Sequence, residues 1–315
     1  MRNAPINSAQ RGSTGRFMRH FNSGYFPGFQ FLFPVLLILL SCEARITTRP
    51  GADVDVQRAR QGNRPLMVPD YRRANTALRG IYTELPEPTI YCNCNFDPKG
   101  KWAPATGCSF SPRDPADRDI RYKVHWEHVV PASRLAEGRS CWDDDPCIRG
   151  NGKRYGGRSC CRKTDTLFRA MEADLHNLRP AIGEINRHRQ NYSFEEIPGE
   201  DRIYGACDME ISSNTKTAEP PESSRGLIAR TYLYMDAVYG IGLTYEERKL
   251  YENWHRLYRP TSAEVARDIA IRELQGNSNP FIYDYRPEAQ VSEAGQPIDP
   301  DYETVDDKME AGNSN

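Results

Sequence analysis

Trp126-Glu127-His128-Val129-Val130-Pro131-Ala132 closes an alternating run of Tyr122, Val124 and Trp126. That alternation reads as a half-buried strand. Pro131 excludes a helix interior at this point. Successive side chains on a strand point to opposite faces, so Glu127 and His128 can serve one site only where the strand ends and bends. Histidine has the near-neutral pKa that a general base requires. A lone histidine here would ordinarily be a structural cap on a strand end, but the adjoining carboxylate gives it a chemical context. His125-x-Glu127-His128 does not match a zinc protease, which needs H-E-x-x-H or H-x-x-E-H.

Two segments downstream complete the pattern: Met171-Glu172-Ala173-Asp174-Leu175-His176-Asn177-Leu178-Arg179-Pro180 and Gly183-Glu184-Ile185-Asn186-Arg187. Leu167, Phe168, Met171 and Leu175 predict a helix over 165–175, with Asn177 at or just past its end. A second short helix is expected at about 181–190, after Pro180, carrying Asn186. An amide oxygen is a neutral hard ligand, suited to Mg²⁺ beside one carboxylate and several waters. Arg187 and Arg189 flank Asn186. Arg158 follows Gly156-Gly157, a loop able to bring a guanidinium to a phosphate. Arg154 and Arg162 read as solvated surface charges. A base, hard oxygen ligands and arginines are the parts with which a phosphodiester is hydrolysed.

The surrounding chain reads as one domain over 76–283, long enough to bury a sizeable core. Its first half is turn-rich, with short strands and a small hairpin. Its second half is helical. Leu227, Ile228, Tyr232, Met235 and Val238 predict a helix over 226–239. Thr244-x-x-Glu247 and Thr261-x-x-Glu264 have the form of capping boxes, opening helices at 245–258 and 262–274. Gly276 closes the last. Tyr232, Tyr234, Trp254 and Tyr258 are expected in the core rather than as base-stacking platforms. The class is α+β, helix-rich.

The ends have different compositions. Phe31–Leu40 is almost wholly apolar and follows Arg16, Arg19 and His20. It is too short to span a bilayer stably and reads as a secretory signal within 1–42; Met18 would serve as an alternative start. The signal ends at Leu39-Leu40-Ser41-Cys42, which resembles a bacterial lipoprotein box, so Cys42 is expected to carry a lipid anchor. Residues 43–75 read as a flexible tether, and residues 284–315 as a disordered acidic tail. The formal net charge of −1 conceals an asymmetry. Residues 121–190 hold 14 Lys/Arg against 9 Asp/Glu, while the tail holds 2 against 9. A basic face around the chemistry suits a polyanion.

The chain has nine cysteines. Without Cys42 they are Cys92, Cys94, Cys108, Cys141, Cys147, Cys160, Cys161 and Cys207. An even number in an exported chain predicts disulfides, with connectivity left open. Adjacent Cys160 and Cys161 are not expected to bridge each other. The spacings lack the C-x₂-C of structural zinc sites.

Taken in order, these pieces resemble bacterial endonuclease I, a family of exported, disulfide-containing nucleases of the ββα-metal, HNH-like superfamily. The likeness runs from Tyr91-Cys92-x-Cys94 through the segments quoted above. It continues with Cys141-Trp142, Gly156-Gly157-Arg158, Tyr204-Gly205-x-Cys207, Ala218-Glu219-Pro220-Pro221, Arg225-Gly226-x-Ile228-Ala229-Arg230-Thr231-Tyr232 and Gln275-Gly276-Asn277-x-Asn279-Pro280-Phe281. It covers about 80–283. The resemblance implies a ββα-metal finger, with His128 as general base and Glu127 and Asn186 as ligands of one Mg²⁺ (or Mn²⁺). It further implies Arg158 on the phosphate, and Glu172 and Asn177 orienting a metal-bound water or the His128 ring. DNA, and RNA as a second substrate, would be held by the backbone and cut to 5′-phosphorylated products. A monomeric, periplasmic or cell-surface lipoprotein is expected, able to be released outside the cell. A nucleic-acid binder without catalysis is the alternative on the same fold. Residues 143–157 depart from the family in length, which leaves Arg154 or Arg162 as substitutes for Arg158. Cys147 and one of Cys160/Cys161 stand in for C-terminal cysteines that some members carry.

Overall fold

The fold is described from a computed structural model covering residues 68, 70–113, 119–199 and 201–285, with the backbone of 290–291 and 297–298. The expected signal and Cys42, most of the tether and nearly all of the acidic tail lie outside the described residues. No helix among the described residues is long and apolar enough to cross a membrane.

Helix α1, Tyr71–Glu84, begins inside the span expected to be tether. Asp70 caps it, accepting from the Arg73 N–H. Ala74, Leu78, Ile81 and Tyr82 form its buried stripe. Spacings of four, three and one are those of a single helical face, and that face is buried from Ala74 onward.

Strand β1, Val124–His128, pairs antiparallel with β4, Leu178–Ile182, with Trp126 opposite Pro180. Pro180 has no N–H to give, and a two-stranded ribbon tolerates this because each strand is an edge. Helix α6, Gly183–Arg189, follows β4 directly and packs on both strands. β1 is more deeply buried than the expected half-buried strand: Glu127 is 4% and His128 8% exposed. The reason is cover on both faces. Trp126 meets Tyr82 of α1 with ring centroids 5.5 Å apart, while Glu127 faces α6.

Between β1 and β4 lie α2 (Ala132–Leu135), α3 (Ser140–Asp143), the hairpin strands β2 (Cys147–Ile148) and β3 (Arg154–Tyr155), α4 (Arg158–Thr164) and α5 (Thr166–Ala173). A 3-10 turn, Leu175–Asn177, leads into β4. After α6 come β5 (Ser193–Phe194), β6 (Glu210–Ser212) and β7 (Thr217–Glu219), a small sheet in the order β5-β7-β6.

The helical half is α7 (Glu222–Tyr239), α8 (Tyr245–Leu257), α9 (Ser262–Gln275) and α10 (Pro280–Tyr283). Thr244 and Glu247 make the full capping box. At α9 only half of the expected box forms: Thr261 accepts from the Glu264 N–H, but the Glu264 carboxylate is taken by Arg230 in a buried pair. Gly276 ends α9 in the left-handed conformation. Tyr232, Tyr234 and Trp254 are buried and Tyr258 packs against the same core.

All eight expected cysteines pair: Cys92–Cys207, Cys94–Cys108, Cys141–Cys161 and Cys147–Cys160. The last two tie α3 and the β2–β3 hairpin to α4.

Two stability predictions follow from these features. Converting both Cys147 and Cys160 to Ser releases a loop with a sequence separation of 13 and should cost about 3 kcal/mol in denaturant unfolding; an unchanged midpoint would show that the hairpin is held without the bridge. His255 is pushed down to about 4, by burial first and then by Arg230, with Glu264 opposing. Its folded pKa lies below the unfolded one, so stability is full above the ordinary histidine range and declines as pH falls toward 4. Tm should therefore fall less between pH 6.5 and 4 in His255→Gln than in the parent; equal slopes would show that His255 is not held neutral.

Candidate active site

The last residue of β1 is His128, and the chain bends at Val129–Val130. Asn177 holds that bend. Its Oδ1 accepts from the Val130 N–H at 2.7 Å and its Nδ2 donates to the Val130 carbonyl at 3.0 Å. The Val129 N–H donates to the Asn177 carbonyl. Asn177 thus sets the backbone that follows His128, with both ends of its amide bonded to Val130.

The bend separates the two side chains as the pleat dictates. His128 Nε2 lies 2.8 Å from the backbone carbonyl of Glu172. A carbonyl only accepts, so Nε2 carries the proton and Nδ1 presents a lone pair. Nδ1 faces Arg158 Nη2 at 3.5 Å. The ring stacks on Tyr71 of α1, with centroids 5.2 Å apart and planes 24° from parallel. Burial, and next the Arg158 charge, push His128 down to about 4, so the imidazole is neutral at neutral pH.

Glu172 sits below this ring as a carboxylate bracket. Arg158 Nε donates to its Oε1, and Arg162 Nε donates to its Oε2 at 2.7 Å. Burial opposes the charged form of Glu172, but the hydrogen bonds from Arg162 and Arg158 outweigh it and hold the carboxyl below its ordinary range. Arg158 stands at the first turn of α4, after Gly157 at φ 73°. That positive φ is open to glycine and costly for other residues.

Glu127 points the other way. Its Oε1 accepts from Tyr91 Oη at 3.0 Å and from Arg189 Nη1 at 2.9 Å. Burial raises its pKa, and Arg189 and Tyr91 oppose the rise. Arg189 also donates to the backbone carbonyls of His128 and Val129, at 3.0 and 2.8 Å. Oε2 of Glu127 takes no hydrogen bond among the described residues. Asn186 lies one turn before Arg189 on α6 and is only half-buried; its amide makes no side-chain bond among the described residues. No cluster of three His, Cys, Asp or Glu able to hold a metal occurs among the described residues. One uncommitted carboxylate oxygen and one uncommitted amide, on packed neighbouring elements, fit a hard cation that keeps most of its waters.

Of the residues expected from sequence, His128, Arg158 and Glu172 are brought into contact, and Glu127 and Asn186 occupy β1 and the flank of the packed α6. Arg154 is on the exposed hairpin strand and joins no part of this cluster. Arg162, expected as a solvated charge, is bound to buried Glu172. Tyr71, Tyr91 and Arg189 were not anticipated in these roles. The apolar stripe of α1 was a visible signal for Tyr71, three residues before Ala74, and the four-residue spacing from Arg158 was one for Arg162.

Comparison with known proteins gives an independent result. The family profile described as Endonuclease I matches residues 81–286. An "Extracellular deoxyribonuclease" of Aeromonas hydrophila is 41% identical over 227 residues, 71% of this chain and 93% of the relative. A "Periplasmic deoxyribonuclease" of the same species is 40% identical over 215 residues, covering 67% and 84%. An "Endonuclease-1" of Buchnera aphidicola subsp. Acyrthosiphon pisum (strain APS) is 37% identical over 197 residues, covering 62% and 73%.

Asn177→Ala leaves the buried Val130 N–H and carbonyl without their partners, at a cost of about 2 kcal/mol or more. Urea unfolding measures it; a loss below about 0.5 kcal/mol would mean that the bend holds without Asn177.

Proposed function

The chain belongs to the endonuclease I family, and from that premise we propose that it is an exported, metal-dependent endonuclease that hydrolyses phosphodiester bonds of DNA, and of RNA, with little sequence preference. The observation that carries this is the placement of His128, with Nε2 2.8 Å from the Glu172 carbonyl and Nδ1 facing Arg158. A binding module has no use for such a base.

His128 Nδ1 takes a proton from water as the water oxygen bonds to phosphorus. Arg158 donates to the non-bridging phosphate oxygens and stabilises the charge that grows on them. The bond from phosphorus to the 3′-oxygen breaks, and that oxygen leaves as an alkoxide that takes a proton from solvent to become a hydroxyl. The products carry 5′-phosphates. Glu127 and Asn186 would hold Mg²⁺, or Mn²⁺ in its place, which when bound neutralises charge on the scissile phosphate and on the leaving 3′-oxygen. Arg189 fixes the Glu127 carboxylate through Oε1 and leaves Oε2 for the metal, and Glu172 fixes Arg158. The strand–strand–helix unit of β1, β4 and α6 serves as the ββα-metal finger.

Four disulfides and relatives named extracellular and periplasmic support export. Cys42 is proposed to anchor the mature chain to a membrane, with residues 43–70 as the lead between lipid and domain.

The oxidised protein should nick and linearise supercoiled plasmid with Mg²⁺, and EDTA should stop it. His128→Ala should lose about 10²–10⁴-fold in rate and still bind DNA. A folded, oxidised parent that binds plasmid without cutting it, with Mg²⁺ or Mn²⁺, would replace this reading with the binding module.

A further inference from the structure

Glu172 is a single carboxylate with two guanidinium partners. Its side chain is 2% exposed, while those of Arg158 and Arg162 are 40% and 41% exposed. Each arginine spends its Nε on one carboxylate oxygen. One arginine suffices to neutralise the buried charge; the second leaves the trio with an excess of one positive charge. Arg162 makes no other ion pair or hydrogen bond through its side chain among the described residues, so both of its terminal amino groups are uncommitted. It is also held in place. Its guanidinium carbon lies 5.3 Å from the Tyr71 ring centre, and that of Arg158 lies 5.5 Å from the same ring. Tyr71 stacks on His128 in turn.

An exposed arginine on an exposed carboxylate is a loose contact worth little. Here a buried anion and an aromatic ring orient a guanidinium whose outer edge meets solvent, next to the base. Arg162 follows Arg158 by four residues, which places it one turn along the same face of α4. A fixed planar cation that shares one carboxylate with a second arginine, and keeps both terminal amino groups uncommitted, is a phosphate-binding arrangement.

We propose that Arg162 forms a second phosphate subsite, binding the phosphodiester next to the scissile one on the same strand. The proposal rests on the nuclease reading. Arg158 serves the reacting phosphate and Arg162 its neighbour, so the strand is gripped at two successive points by one carboxylate-braced pair.

The test is binding of a fluorescein-labelled DNA duplex, across a range of salt, to the oxidised full-length protein carrying His128→Ala, chosen so that the duplex is bound and not cut. Arg162→Gln added to that background should weaken binding roughly tenfold. It should also lower the slope of log K against log salt by about one. Arg162→Lys should retain most of the slope. Glu172 keeps Arg158 in both variants, and unfolding midpoints of each confirm that the fold is retained. An unchanged slope in Arg162→Gln, with the His128→Ala parent binding DNA normally, overturns the second subsite and leaves the nuclease reading intact. A parent that fails to bind duplex, alongside wild-type protein that fails to cut plasmid, overturns both.

Discussion

The buried pair between Arg189 and Glu127 organises the centre of this molecule. Arg189 is fully buried, with its guanidinium over the ring of Phe194. A charge so placed is tolerated only with partners on hand. It finds them in one carboxylate oxygen and two carbonyls, all at the end of β1. The same contacts dock α6 on the strand, set the Glu127 carboxylate and fix the backbone of His128. Removing either charge would strand the other in the interior, which is why the pair constrains everything built around it.

A second electrostatic design lies on the opposite face of β1. There the buried carboxylate of Glu172 faces two partly exposed guanidiniums, and its own backbone carbonyl sets the histidine tautomer. One residue thereby defines the protonation pattern of the base through its main chain and the placement of the cations through its side chain. The two faces are kept distinct by the strand pleat. They are kept adjacent by the bend, which the amide of Asn177 closes in both directions.

Much of the helical half could be read directly from residue pattern, because caps and apolar periodicity are local signals. Thr244 with Glu247 and the closing Gly276 are of that kind. Where a tertiary partner competes, the local signal misleads: Glu264 has the spacing of a capping box, yet Arg230 claims its carboxylate. β1 was legible as a strand but not as one covered on both sides, since the covering residues come from α1 and α6, distant in sequence. His128, Glu172 and Arg158 could be listed as chemistry-bearing residues, but not their mutual contacts. Arg162 and Arg189 resemble any surface arginine until the buried acids they meet are known. The pairing of the cysteines was equally invisible, because loop closure within so many short spans leaves several solutions of similar cost.

The neighbouring cysteines 160 and 161 bind different partners, Cys147 and Cys141. Consecutive positions on a helix differ by about 100° in azimuth. Exchanging the two partners would preserve the number of bridges and leave every thiol oxidised, yet it would roll α4 about its axis. Arg158 and Arg162 ride on that helix and would roll with it, away from Glu172 and from the histidine. The covalent network therefore acts as a keyway: of these two pairings, the one present sets the guanidiniums against Glu172 and beside His128, and complete oxidation alone does not distinguish it from the exchanged isomer.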